Sequence, residues 1–286
     1  MDLPADFSIS SMRPDEVPVL EQWAADEGWN PGLSDLALAY AVDPGAFIAL
    51  RRGEDLAGGG TIFSYDGAYG FMGLFIVRAD LRGAGLGAIL WHRRLELMRQ
   101  RLAPGAAIGM DGVFAMAPFY EKGGFRLAYR DLRFEGVAQG RDDAHLVAYP
   151  DVSFTEIEAF DRRFVAAPRA AFLLRWIEQP GAHVLALRHD GQMLAYGVAR
   201  PCRSGFKLGP VFATDPQAAE RVVGGLMARI PGQKVALDVP EPNRAALELA
   251  ARHGLSPSFG CARMYHGPAP KLPVDGIFGV SSFEFG

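Results

Sequence analysis

Six consecutive residues, Arg82-Gly83-Ala84-Gly85-Leu86-Gly87, have the types and spacing to do chemistry. They stand between an aromatic and β-branched run, Tyr69 to Val77, and a pattern of helical period from about Ala84 to Leu102. A strand feeds a glycine loop, and the loop feeds a helix. The first turn of a helix carries N–H groups with no intrahelical partner, at the positive end of its dipole. Phosphate oxygens are natural partners for them; Gly83, Gly85 and Gly87 let a ligand come close to the main chain, and Arg82 adds a cation. The spacing is neither that of a Walker loop, since no Lys-Ser/Thr follows, nor Gly-x-Gly-x-x-Gly. The same residues would also serve a turn built only for packing.

Two more groups bear on chemistry. Asp111 stands at the C-terminal end of the apolar run Ala106 to Met110, the end at which α/β sheets place ligand-contacting side chains. Tyr120 lies in Ala117-Pro118-Phe119-Tyr120-Glu121-Lys122-Gly123-Gly124-Phe125, a short helix closed by glycines, and taken alone it reads as a packed aromatic with a satisfied hydroxyl. Nearer the start, Gly28-Trp29-Asn30-Pro31-Gly32 must be a loop. Its Trp29 could line an acceptor pocket or simply anchor the loop.

Arg-x-x-Gly-x-Gly after a strand, followed by Tyr-Glu-Lys-x-Gly-Phe, resembles the GNAT N-acetyltransferase superfamily. The resemblance implies that Arg82, Gly83, Ala84, Gly85, Leu86 and Gly87 hold the pyrophosphate of acetyl-CoA. It also implies a strand that splays from its neighbour, leaving main chain at Phe75, Ile76 and Val77 to pair with the pantetheine. Tyr120 takes the place of the tyrosine that protonates the leaving thiolate. Asp111 is the nearest acidic candidate for a general base, with Glu121 or a water chain as alternatives, and Trp29 and Asn30 are placed at the acceptor. Val113 stands where the superfamily usually has Asn, so one coenzyme contact is missing or moved. Asp111-Gly112-Val113-Phe114, the Trp29 loop and Gly276-Ile277-Phe278-Gly279-Val280 are similar to a narrower bacterial group of two-part acetyltransferases.

The elements that must position these groups recur. From about Asp151 come helical patterns, a hairpin turn at His189-Asp190-Gly191, a strand from Phe206 to Ala213 and a helix from Pro216. The chain there reads Ala213-Thr214-Asp215-Pro216, with no glycines or arginine, and an acid at the helix entrance repels phosphate. Asn243-Arg244-Ala245-Ala246-Leu247-Glu248-Leu249-Ala250 resembles the superfamily's Asn-x-x-Ala-x-x-Leu-Tyr, with Ala250 in place of the tyrosine. A second coenzyme site is not expected. Arg93, Arg94, Arg99 and Arg101 read as a solvated helix face; His183, Arg200 and Lys207 could reach an acceptor cleft but read first as ordinary surface residues.

At 286 residues, 49% hydrophobic and 22% charged, the chain reads as a soluble protein with ample core. A net charge of −4 gives no general attraction to nucleic acid or anionic lipid. Two cysteines, Cys202 and Cys261, make neither a disulfide framework nor a metal set and fit a reducing cytoplasm. The start lacks the basic and apolar segments of a signal peptide, and no apolar run approaches a membrane span. The expected fold class is α/β (α+β), two tandem GNAT-like mixed-sheet domains flanked by helices. The expected boundaries are 1–140, 151–267, and a linker with a terminal strand over 268–286. The expected activity is acetyl transfer from acetyl-CoA, without metal, to a primary amine of a small molecule, in the cytoplasm; a homodimer is left open. The alternative is a non-catalytic acetyl-CoA sensor.

Overall fold

The structure, a computed structural model, describes residues 3–286. The chain opens with β1 (Phe7–Ser11), α1 (Val17–Asp26) and α2 (Asp35–Val42), followed by the antiparallel strands β2 (Phe47–Arg52), β3 (Asp55–Tyr65) and β4 (Tyr69–Val77). Then α3 (Leu86–Gln100) crosses over to β5 (Ala107–Val113), parallel to β4, and α4 (Ala117–Lys122) leads into β6 (Arg126–Val137). The same series follows again as β7 (Leu146–Ala148), α5 (Phe154–Asp161), α6 (Ala170–Ile177), β8 (His183–His189), β9 (Gln192–Pro201), β10 (Phe206–Ala213), α7 (Pro216–Arg229), β11 (Lys234–Pro240), α8 (Arg244–Arg252) and β12 (Ser256–His266). A short β13 (Ile277–Gly279) is added after the repeat. The internal duplication and the mixed α/β architecture expected from the sequence are both present.

All the strands join one sheet, in the order β1-β2-β3-β4-β5-β12-β6-β11-β10-β9-β8-β7, with β13 pairing to β10 off this path. When each strand is matched to its counterpart in the other half, that order reads the same from both ends. At its centre the last strands of the two halves have changed places: β12 pairs with β5, and β6 pairs with β11. The exchanged strands also pair antiparallel with each other, Cys261 opposite Asp131. The trailing half opens with β7, ahead of the expected start at 151, and the halves are separate along the chain but not in the sheet.

Helices cover both faces. On one face α3 packs Leu90, Trp91, Leu95 and Met98 onto the leading half, and α7 packs Val222, Val223 and Leu226 onto the trailing half. The opposite face holds a shared core in which Leu20, Leu36, Phe63, Phe172 and Trp176 meet Phe283 and Phe285 from the end of the described chain.

Arg94 departs from its expected place in solvent: it is 1% exposed, on the same side of α3 as Leu90 and Trp91. The reason lies in β4, where Leu74 has a φ of 52° and the register against β3 shifts. An interrupted ladder leaves buried carbonyls in need of donors. Arg94 Nη2 supplies them, at 2.5 Å to Thr61 O and 2.6 Å to Gly73 O. Gly60 has no side chain because a Cβ there would collide with the guanidinium.

The exchange makes each half depend on the other for a central strand. Residues 1–140 produced alone are expected to be unfolded or associated, since β5 would present an open edge, and to regain structure when mixed with 141–286. Circular dichroism and size-exclusion chromatography of the separate and mixed fragments check this. Arg94→Met is expected to cost about 2–6 kcal/mol, from two orphaned carbonyls at ~1–3 kcal/mol each, measured by urea unfolding.

Candidate active site

The feature that makes a cleft is the parting of β4 from β5. The two strands pair only over Tyr69↔Ala107, Gly70↔Ile108 and Phe71↔Gly109, then diverge. Beyond Phe71, β4 keeps its partner β3 on one side and faces open space on the other. A cavity of about 420 Å³ fills this opening, within the usual range for small-molecule sites. Its walls include Phe75, Ile76, Val77, Arg82, Gly83, Gly87, Asp111 and Tyr120, which brings the two sequence motifs to one place.

The loop has the geometry that its glycines allow. Gly83 and Gly85 adopt φ of 83° and 80°, the left-handed region that a side chain resists. Gly85 is the residue before the first turn of α3, and no side chain caps that turn. Leu86 turns inward and is buried in the core, so of the loop's residues it contributes main chain only. Arg82 folds back so that Nε donates to Val77 O at 2.8 Å, and its other arm pairs with Glu27.

Tyr120 is 4% exposed and packs against Gly112, where a Cβ would lie 2.5 Å from its ring. Burial pushes its phenol up to about 12, with the Arg94 charge opposing, so the hydroxyl is protonated at neutral pH. Asp111 also reaches the cavity wall, but both its oxygens are held by Arg263, at 2.6 Å from Nε and 2.6 Å from Nη2. Asp131 lies beside this pair; burial pushes its carboxyl well up, Arg263 opposes the rise and the Asp111 charge adds to it.

Trp29 and Asn30 part company. Trp29 lines the cavity, and its carbonyl accepts from Arg133 Nη1 at 2.9 Å and Lys207 Nζ at 3.1 Å. Asn30, expected beside it, turns away instead. Its side chain donates to Ser204 O at 3.0 Å and accepts from Ser204 N at 2.8 Å, clasping the β9–β10 turn. The physical reason is a φ of 50° at Asn30, which reverses the chain there. Lys207 and Arg200 are a second correction: they are 2% and 1% exposed, not on the surface. Arg200 Nε donates to Asp35 Oδ1 at 3.0 Å, and the guanidinium lies 4.4 Å from the Trp176 ring centre. Arg133 is likewise held by Asp238, at 2.7 and 2.8 Å.

The sequence reading missed one wall altogether. Phe283 and Glu284 line the same cavity, brought there by the segment after β13. Their position has no periodic or motif signal; only the buried company they keep reveals it.

The counterpart cleft in the trailing half is closed. There β10 pairs with β11 over Phe206–Leu208 and then parts from it, just as β4 does, but β13 occupies the gap. Val280 N donates to Asp238 O at 2.9 Å. Asn243 donates to the carbonyls of Val274, Asp275 and Ile277, at 3.2, 3.1 and 2.9 Å. The first turn of α7 is capped by its own acid, Asp215 Oδ1 accepting from Ala218 N at 2.8 Å. Strand, helix entrance and asparagine are all satisfied from within the chain.

Comparison with known proteins agrees with this duplicated plan. The acetyltransferase (GNAT) family matches residues 11–125, and an acetyltransferase (GNAT) domain matches residues 157–279. Holothin acyltransferase of Pseudoalteromonas sp. (strain SANK 73390) is 26% identical over 281 residues, which cover 95% of this chain and 92% of that one. Among solved structures, a putative acetyltransferase from Pyrococcus horikoshii superposes with a TM-score of 0.85 at 21% identity, covering 100% of this chain and 98% of its own. A tandem GNAT protein from the clavulanic acid biosynthesis pathway superposes with a TM-score of 0.65 at 15% identity, covering 93% and 99%. At these identities the solved structures speak for the fold.

Asp111→Asn leaves Arg263 with only Asp131, at 3.5 Å, and is expected to lower stability by up to about 3–5 kcal/mol, the cost of breaking a buried pair. Thermal and urea unfolding of the variant, with Asp131→Asn as the milder comparison, check this.

Proposed function

This chain belongs to the GNAT acetyltransferase family and carries its domain twice, and from that premise we propose that the leading half transfers acetyl from acetyl-coenzyme A to a primary amine of a small molecule. The observation that carries this reading is the opening between β4 and β5 directly behind a loop with two left-handed glycines and an uncapped helix start. An extended amide chain with a diphosphate at one end fits both parts of that shape. The diphosphate would be held by main chain from Gly83 to Gly87 with Arg82 beside it, and the amides by main chain at Phe75, Ile76 and Val77.

When bound, the coenzyme supplies an acetyl thioester, a carbonyl carbon open to an amine and a sulfur leaving group. The chain's own part is to hold the reactants in line and to move protons. Tyr120, kept neutral by burial, donates its phenolic proton to the leaving sulfur. Arg94 fixes the β4 bulge on which Phe75 depends, and its guanidinium lies 5.4 Å from the Phe75 ring centre. Asp111 has no proton-transfer step in this reading, because Arg263 occupies both its oxygens. The trailing half serves as support, since its own cleft is filled by β13.

Calorimetry with coenzyme A and thioester consumption with a panel of primary amines test the proposal. Binding followed by amine-dependent turnover is expected; absence of heat with coenzyme A would end it. Gly85→Val is expected to weaken coenzyme A by at least about tenfold, because a β-branched residue resists the left-handed conformation by ~1–2 kcal/mol or more. Tyr120→Phe is expected to leave coenzyme A affinity in place and lower kcat by about 100-fold.

A further inference from the structure

Three carboxylates line the cavity: Glu27, Asp111 and Glu284. Glu27 pairs with Arg82, and Asp111 with Arg263. Glu284 is different. It is 4% exposed, and its Oε2 is buried with no hydrogen-bond partner among the described residues. We propose that Glu284 is the group that binds the acceptor's ammonium and takes its proton, so that the segment after the trailing half completes the active site of the leading half. The proposal rests on the acetyltransferase reading above and supplies its proton acceptor.

The segment is anchored well enough to aim a side chain. Ser282 Oγ accepts from Glu284 N at 3.2 Å and Phe285 N at 3.0 Å, and Tyr65 Oη donates to Phe285 O at 2.6 Å. Phe283 lies under the Arg133 guanidinium, 5.1 Å from its ring centre, and Phe285 packs on Phe63 and Phe172. Between these anchors the main chain of Glu284 crosses Gly73 so closely that any Cβ at Gly73 would strike the Glu284 carbonyl. The crossing is therefore at the β4 bulge, beside Leu74 and Phe75, where the cleft opens.

A buried carboxylate without a donor is costly to keep. Its charge is felt by Arg133 on β6, Lys207 on β10 and Arg200 on β9. Arg133 is paired with Asp238, Arg200 Nε with Asp35, and Lys207 donates to the Trp29 carbonyl, so the three act on Glu284 through their charge and none donates to its oxygens. Across the cavity face it are Asp111 on β5, Cys261 on β12, whose thiol burial keeps well up and neutral, and Tyr120 on α4; Asp238 on β11 lies behind Arg133. An ammonium is the donor that fits. Other walls of the cavity, Trp29, Val113, Met116, Phe259 and Phe283, are apolar or aromatic. One open carboxylate among such walls selects an amine with a single positive charge on an apolar or aromatic body, and disfavours polyamines.

Glu284 takes one proton from the ammonium, freeing the nitrogen lone pair to form the carbon–nitrogen bond. As the carbon–sulfur bond breaks, Tyr120 protonates the sulfur and is restored by the second proton of the nitrogen. Glu284 then returns its proton to solvent, giving amide, free thiol and one released proton.

Glu284→Gln and Glu284→Asp in the full chain test this, against alkyl- and arylalkyl-monoamines and a polyamine, spermidine. Glu284→Gln is expected to melt within a few degrees of the parent, since it removes a buried carboxylate that no group donates to along with its attraction to Arg133, Lys207 and Arg200, and to bind coenzyme A within about twofold of it. Its kcat/KM for the best monoamine at neutral pH is expected to fall by at least about 100-fold. Part of that loss returns as pH rises and the amine neutralises itself, and Glu284→Asp falls between. A Glu284→Gln variant with the parent's kcat/KM and pH profile would overturn the assignment, as would one whose melting temperature and coenzyme affinity collapse together with its rate. If the parent chain itself takes up coenzyme A but acetylates no amine, the acetyltransferase reading fails first and Glu284 with it.

Discussion

The two strands that change places at the centre of the sheet are the constraint on which the molecule depends. Because β12 lies between β5 and β6, and β6 between β12 and β11, neither half has a complete sheet of its own. Charges that would be costly apart are neutralised across this seam: Arg263 of β12 by Asp111 of β5, and Arg133 of β6 by Asp238 of β11. These pairs join strands from opposite halves, so they fix the register of the exchange as well as balance charge. Position in the seam also accounts for the burial of these four charged side chains.

Duplication gave the two halves one geometry, and they use it differently. Both central strands part from their parallel neighbour after three paired residues. In the leading half the opening is left as a cavity with a bare helix start; in the trailing half β13 fills it and Asp215 caps the helix. Asn243, which follows the family's spacing, holds the chain's own carbonyls. The loss of glycines in the second copy is therefore one part of a wider change, in which each group that could meet a ligand has been given an internal partner.

How much of this was legible follows from how local each signal is. The loop, Tyr120 and the repeat could be read because strand, turn and helix patterns each lie within about a dozen residues. The exchange could not, since β6 and β12 would have the same apolar alternation whichever half they joined. Arg94, Arg200 and Lys207 were misplaced for a related reason. Their partners are the carbonyls of a bulge, a carboxylate in α2 and the Trp29 carbonyl, all distant in sequence. In the case of Arg94 a cue existed, because it follows Leu90 by four positions and so shares the inward face of α3. For Glu284 there was none: a lone acid in Ser281-Ser282-Phe283-Glu284-Phe285 says nothing of the cavity it enters.

The crossing of Glu284 over Gly73 also has a temporal side. A ribosome delivers β5 long before β12, and the segment carrying Glu284 comes later still. Until those residues emerge, the nascent leading half presents a bare strand edge, the kind of surface that draws in neighbouring chains. Its pocket lacks a wall during the same interval. Folding during synthesis therefore leaves that edge exposed for as long as the trailing half takes to emerge.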